Sequence, residues 1–354
     1  MQQMLVPMPW RGTTDQISWT QLQWLQSLGE QAYCALWQRW PKDDLPTGYK
    51  LYIVSFHLEA VDINWVERQS ELYDANIVVL SDSNFYNWTP PANVYCYTYY
   101  WWHEQVKLIT QWFPSQQPKN LQYKFSAICN RITQSKLLIF TALMNHAAKE
   151  SLVKLNTWEE TQGDSRLRTN NVFLDGLMDQ FYNQWGGKTI SIDEFNQQTD
   201  NHHRYTADPW TPVYQQCALH FTNESFHYSL MMDHRGSYNY PGPFITEKTL
   251  KCLVGATGFI PVGQYDTFGA LTNVGFKFDY GFSTAFDSDA GNITRLETLC
   301  HLVEDLATYS IDDLYQATEH SSRHNQKHIT SGEFDYVCQT HNSSITSQVL
   351  DKFL

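Results

Sequence analysis

The residues best suited to chemistry lie in the stretch Tyr240-Pro241-Gly242-Pro243-Phe244-Ile245-Thr246-Glu247-Lys248-Thr249-Leu250. A polar loop there runs into a predicted helix, with Thr246 as its N-cap. The first turn of a helix carries unpaired N–H groups and partial positive charge, so it favours anions. Lys248 adds a full positive charge where acids are ordinarily placed, which points to an anionic ligand such as phosphate. Glu247 beside it can accept two hydrogen bonds from a diol such as ribose. An ammonium for diphosphate and a carboxylate for ribose would form a nucleotide clamp. The same letters, Thr-Glu-Lys-Thr, also describe an ordinary capped helix start.

Other groups could join that site. His57, Glu59 and Asp62 fall within six residues after the first predicted strand, where a base could take a proton from a substrate hydroxyl. Three titratable groups that close also arise by chance. Arg131 leaves the strand around Phe125 to Ile128 and opens a helix, and its planar fork suits phosphate oxygens. The plainer reading is a surface arginine capping a loop. Asp287-Ser288-Asp289 has the spacing of a divalent-ion pair, but Gly291 and Asn292 next to it favour a turn. His320, His324 and His328 would share one helix face, yet no acid or cysteine is arranged with them or with His202-His203. No metal and no cofactor are expected. No Gly-x-x-x-x-Gly-Lys-Ser/Thr and no Gly-x-Ser-x-Gly occurs, which disfavours a P-loop and the usual hydrolase elbow.

The elements that must hold these residues alternate. Scattered apolar positions predict a helix over Trp19 to Trp40. Strands follow at Tyr49 to Phe56, Ala75 to Leu80, Val94 to Tyr99 and Phe125 to Ile128, with helices at Ile63 to Leu72, Trp102 to Phe113 and Thr133 to Ala148. Short, wholly apolar runs suit strands buried on both faces of a parallel sheet. Asn156 to Asp208 is polar, with one helix at Phe173 to Trp185, and reads as a junction. The pattern restarts with a strand at Cys217 to Thr222 and a loop from Asn223 to Pro243. A helix at Glu247 to Val254, a strand at Gly258 to Gly263 and a helix at Thr267 to Val274 closed by Gly275 complete a βαβ pattern. Helices at Arg295 to Tyr309 and Ile311 to His320 follow, and the segment from Ile329 on is expected to be one more helix packing back on the body. The fold class is α/β, with two Rossmann-like domains. The expected division is 1–160, 161–330 and a helical tail at 331–354.

Composition narrows the class. The chain has 354 residues, 42% hydrophobic and 17% charged, enough for two real cores. Its net charge of −13 argues against broad binding to nucleic acid, which depends on neutralising phosphates. Seven scattered cysteines without a Cys-x-x-Cys pair fit reduced thiols, and no run reaches the length of a membrane span. With no secretory leader visible at the N-terminus, a cytoplasmic location is expected. The aromatic run Phe85, Tyr86, Trp88, Tyr95, Tyr97, Tyr99, Tyr100, Trp101 and Trp102 could stack on sugars or bases, or simply pack a strand on its helix.

Three segments carry a resemblance: Phe244 to Thr249, Gly258 to Gly263 and Leu271 to Phe278. They resemble a module of bacterial and phage-encoded glycosyltransferase-like proteins, and are similar to the donor-binding motif of the α1,3-fucosyltransferases. That family has two facing Rossmann-like domains, the GT-B fold. The resemblance covers roughly Cys217 to Phe286. It implies Glu247 on the ribose, Lys248 on the diphosphate and Phe244 near the base, with Thr246 and Tyr240 in the same motif. Phe221-Thr222-Asn223-Glu224-Ser225 resembles the strand end that precedes the motif, which adds Glu224. Tyr123 to Arg131 resembles the segment whose arginine would reach the donor phosphate. The implied activity is transfer of a sugar from a nucleotide-diphosphate sugar to an acceptor hydroxyl, without metal. The acceptor raised by the phage resemblance is hydroxymethylcytosine in phage DNA, in the host cytoplasm. Surface-glycan and small-molecule acceptors, and a non-catalytic sugar- or nucleic-acid-binding protein on the same scaffold, are the alternatives.

Overall fold

The structure is a computed structural model that describes residues 24, 32–37, 44–56, 61–82, 85, 88–110, 119–129, 133–155, 169–185, 211–224, 230–233, 236–239, 242–289 and 291–353. The described chain is mixed α/β and contains two four-stranded parallel sheets. The arrangement is compatible with two Rossmann-like units.

The first sheet has the order β1-β2-β3-β4, formed by Ala32–Trp37, Leu51–Phe56, Asn76–Ser81 and Val94–Thr98. Its strands run in chain order, so every crossover steps the same way. Right-handed crossovers then place connecting helices on one face only. Helix α1, Ile63–Leu72, covers that face: Val61, Trp65 and Val66 pack on Tyr52, Val54, Phe56, Ile77 and Val79. The opposite face presents Leu51, Ile53, Val78 and Leu80. It is covered from far along the chain by the last helix, Glu333–Phe353, through Ile345 and Val349. The expected return of the tail is therefore a specific lid on the bare face of the first sheet.

The second sheet has the order β10-β7-β5-β6, formed by Gly258–Val262, Cys217–Asn223, Tyr123–Cys129 and Ser151–Leu155. The segment after β5 is helix α3, Gln134–Ala147, and it leads outward to β6. The segment after β7 includes helix α6, Glu247–Val254, and leads the other way to β10. Helix α3 packs on α4 (Val172–Trp185) and α8 (Asn292–Ala307), while α6 packs on α9 (Ile311–Thr330) and on α2 (Trp102–Thr110). The helices on each side of this sheet come from its own part of the chain, apart from α2. A short helix α5, Thr211–Gln216, precedes β7, and α7, Thr267–Thr272, follows β10. The C-terminal lid is α10.

Three expectations change. Ala32–Trp37 is strand β1, paired in parallel with β2, where a helix over Trp19 to Trp40 was expected. The run Ala-Tyr-Cys-Ala-Leu-Trp is continuous and apolar, as a strand between two covered faces requires, and helical spacing borrowed from Leu22, Leu25 and Leu28 concealed it. The sheets divide between Thr98 and Tyr123, not near residue 160, because β5 and β6 bond into the sheet of β7 and β10. The expected loop from Asn223 to Pro243 contains a two-stranded antiparallel hairpin, β8 (Leu230–Asp233) with β9 (Gly236–Asn239), and β9 lies against α1.

The aromatic run joins the two cores. Tyr99 and Trp101 are buried with Leu51, Val78 and Val349, while Tyr100 and Trp102 are buried in the core of the second sheet. Alternate residues of an extended segment point opposite ways, so four consecutive rings bind both layers. Asn342 of α10 seals this crossing: Tyr100 N–H donates to its Oδ1 at 2.9 Å and its Nδ2 donates to Tyr100 O at 2.8 Å. Tyr95 and Phe353 meet edge to face, and Trp88 Nε1 donates to Glu67. These rings are engaged in packing, while Tyr86 lies outside the described residues. The seven cysteines form no disulfide, and no described helix is long and apolar enough to cross a membrane.

Candidate functional site

The carboxyl ends of β7 and β5 meet where the second sheet reverses direction. Outgoing helices go from there to opposite faces, and the strand ends at such a reversal are the usual place for a ligand in sheets of this kind. Each outgoing helix carries a lysine in its first turn, Lys136 in α3 and Lys248 in α6. The charges of both reach Cys129 at the end of β5. Burial pushes its thiol up to about 12, and the two ammonium groups oppose that shift. Two positive charges and two helix N-termini thus flank one strand end.

Glu224 organises the β7 side. Its carboxylate is 2% exposed, one residue past the end of the strand. Oε1 accepts from Thr246 N–H at 3.2 Å and from Thr249 Oγ1 at 2.6 Å, and Oε2 accepts from Thr246 Oγ1 at 2.5 Å. The two threonines of Thr-Glu-Lys-Thr, three residues apart, sit on the same side of the helix start and both turn inward to this acid. Thr246 Oγ1 in turn accepts from Lys248 N–H at 3.4 Å and Lys248 Nζ at 3.3 Å. Lys248 Nζ stands 3.9 Å from Glu224 Oε2 and 4.0 Å from Glu247 Oε1, with about a third of its side chain exposed. The inward pair fixes the helix start, and the outward pair Glu247 and Lys248 stays partly exposed. Gly263, at the end of β10, makes room for this arrangement, since a Cβ there would stand 3.3 Å from Glu224 Cβ.

Thr246 is the N-cap that sequence suggested. Glu224 is within reach of the motif as expected, but it holds the helix entrance from beneath. Phe244 is buried at 7% exposure, with its N–H donating to Gln264 Oε1 at 3.1 Å. Asp62 is described and caps α1, accepting from Trp65 N–H at 3.2 Å. Burial pushes its carboxyl pKa upward, and backbone N–H groups oppose that. Tyr240, Arg131, His57 and Glu59 lie outside the described residues, as do His202 and His203.

Asn223 was not singled out in the sequence. It is the last residue of β7, 2% exposed, and its Oδ1 meets no hydrogen-bond donor among the described residues. Its Nδ2 reaches across to Ile128 O of β5 at 3.4 Å. In the sequence Lys136 counts only among the scattered cations that could line a DNA cleft, although a lysine in a first helical turn was the signal that selected Lys248.

The remaining chemical candidates are engaged elsewhere. Asp287 accepts from Thr267 N–H at 3.0 Å and Phe268 N–H at 2.7 Å, while Asp289 accepts from Gly291 N–H at 2.7 Å. The two acids therefore serve different backbone donors, as in a turn. Burial pushes the Asp287 carboxyl up to about 7. His328 Nε2 and His324 Nε2 face the carbonyls of Val274 and Gly275, at 2.8 and 3.3 Å. Helix α9 runs on to Thr330, past the expected end at His320, and these contacts hold it to the turn at Gly275, whose φ is +100°. No cluster of metal-ligating groups occurs among the described residues. Comparison with protein-family models, with curated proteins and with solved structures finds no match.

Proposed function

We propose that the second sheet binds a nucleotide-diphosphate sugar at its β5–β7 reversal, and that the chain is a glycosyltransferase of the two-domain GT-B type. The observation that carries this reading is the pair of diverging helices, each with a first-turn lysine, around the orphaned Asn223 Oδ1. A diphosphate is the ligand whose charge matches two ammonium groups and two helix N-termini. Asn223 Oδ1 accepts a hydrogen bond from a ligand hydroxyl, and Glu247, partly exposed next to Lys248, takes the ribose diol. In the reaction an acceptor oxygen bonds to the anomeric carbon, the carbon–oxygen bond to the diphosphate breaks, and the acceptor proton passes to a base. Lys136 and Lys248 stabilise the negative charge that develops on the leaving diphosphate.

The first sheet takes the acceptor side. Hairpin β8–β9, inserted between Glu224 and Phe244, lies against α1, so the loop after β7 meets the element after β2. The base is one of Asp62, His57 and Glu59 at the start of α1. Asp62 has the raised carboxyl pKa that suits proton uptake. With a net charge of −13, surface-glycan and small-molecule acceptors precede hydroxymethylated DNA in the order of testing.

The test is calorimetric titration with uridine, guanosine and cytidine diphosphates. Lys248→Ala is expected to weaken the best ligand at least 10-fold with an unchanged melting temperature, and Lys136→Ala to act in the same direction. Unchanged affinity in Lys248→Ala ends the proposal. Release of free nucleoside diphosphate from donor, faster with acceptor, separates a transferase from a non-catalytic binder, which releases none.

A further inference from the structure

Gln264 stands two residues past the end of β10, the strand beside β7, and is 3% exposed. Its Oε1 accepts from Phe244 N–H at 3.1 Å, and its backbone carbonyl accepts from Thr267 Oγ1 at 2.8 Å. A backbone N–H can only donate, so the first bond settles which way the amide faces: oxygen to Phe244, nitrogen away from it. Nε2 is then a buried donor with no partner among the described residues. A desolvated donor left unmet is costly, so such groups call for a partner.

The position of this donor identifies its ligand group. Along the carboxyl ends of the sheet, Lys136 and Asn223 lie on the β5 side of the Glu224–Thr246 node, Lys248 lies on the node, and Gln264 lies beyond it over β10. Charged donors already serve the anionic part of a ligand at the reversal. A neutral amide held rigidly at the far side suits a neutral acceptor. We propose that Gln264 Nε2 donates to a carbonyl of the nucleobase, and so selects uracil, cytosine or guanine nucleotides against adenine. Of the four bases, adenine alone carries no carbonyl oxygen; uracil, cytosine and guanine each carry at least one. This rests on the nucleotide reading above.

The experiment is calorimetric titration of the full chain with UDP, CDP, GDP, ADP and inorganic pyrophosphate. Wild-type protein is expected to bind at least one carbonyl-bearing nucleotide 10-fold or more tightly than ADP. Gln264→Glu keeps an acceptor for Phe244 N–H and removes the donor, whereas Gln264→Met removes both. Each is expected to bring the preference over ADP within 3-fold and to leave pyrophosphate binding unchanged. A wild-type protein without preference over ADP overturns the inference, even if neither variant folds. So does a preference that survives in both variants, or pyrophosphate binding that falls along with it. If pyrophosphate and all four nucleotides fail to bind wild-type protein, the nucleotide reading itself falls.

Discussion

The two parallel sheets have four strands each but differ in order, and the difference separates a sheet that needs cover from elsewhere in the chain from the sheet that carries the candidate site. In β1-β2-β3-β4 every step goes the same way, so no pair of outgoing helices diverges and one face is left bare. That face is closed by α10, over two hundred residues further along the chain. In β10-β7-β5-β6 the direction reverses between β7 and β5, and each face has its own helices. Lys136, Lys248 and the orphaned Asn223 Oδ1 collect at that reversal, with Gln264 one strand away. Strand order therefore accounts for both the returning tail and the location of the site.

The comparison can be broken most forcefully at the lid. Val349 is fully buried against the first sheet, and Val349→Asp places an unpaired charge there. We expect a loss on the order of 4 kcal/mol, read in chemical denaturation followed by tryptophan fluorescence; a loss below ~1 kcal/mol would show that α10 is dispensable. Next comes acid. His220, buried on β7 with its Nδ1 2.7 Å from Ser126 Oγ, has a pKa lowered to about 3 by desolvation, aided by Lys251 and Lys119. Its folded pKa lies below the unfolded value, so its contribution is complete above about pH 6.5 and declines as pH falls toward 3. The slope of stability against pH across that window should flatten in His220→Gln; an unaltered slope would remove the second sheet as the acid-sensitive one. Glu224→Ala strands Thr246 N–H and Thr249 Oγ1, and a loss of about 2 kcal/mol is expected, together with weaker nucleotide binding. Smallest is Thr249→Val, at about 1 kcal/mol, with binding retained. If it removed binding as thoroughly as Lys248→Ala, the division between inward threonines and outward charges would be wrong.

Much of the second sheet was legible because its signals are local. The helix Glu247 to Val254 has the bounds expected, Thr246 caps it, and Gly275 takes the positive φ that ends a helical segment. Asp287 and Asp289 form the turn that Gly291 and Asn292 suggested. Gln264 and Asn223 were illegible, since an orphaned polar atom exists only once its surroundings have packed. Glu224 was noticed by resemblance to a strand end, yet its burial beneath Thr246 and Thr249 required the loop between them to fold back 22 residues. The rings from Tyr99 to Trp102 looked like a stacking surface because aromatic composition is the same whether rings meet ligand or core.

The amino-acid order alone determined the alternation of strands and helices, the helix that begins at Thr246, and the cation in its first turn. These depend on hydrogen bonds and side-chain spacing within a few residues. Tertiary structure decided which strand lies beside which, and with it the reversal, the burial of Glu224 and the docking of α10. Parallel strands are joined by long crossovers, so their pairing depends on which apolar faces find cover, a property of the whole chain.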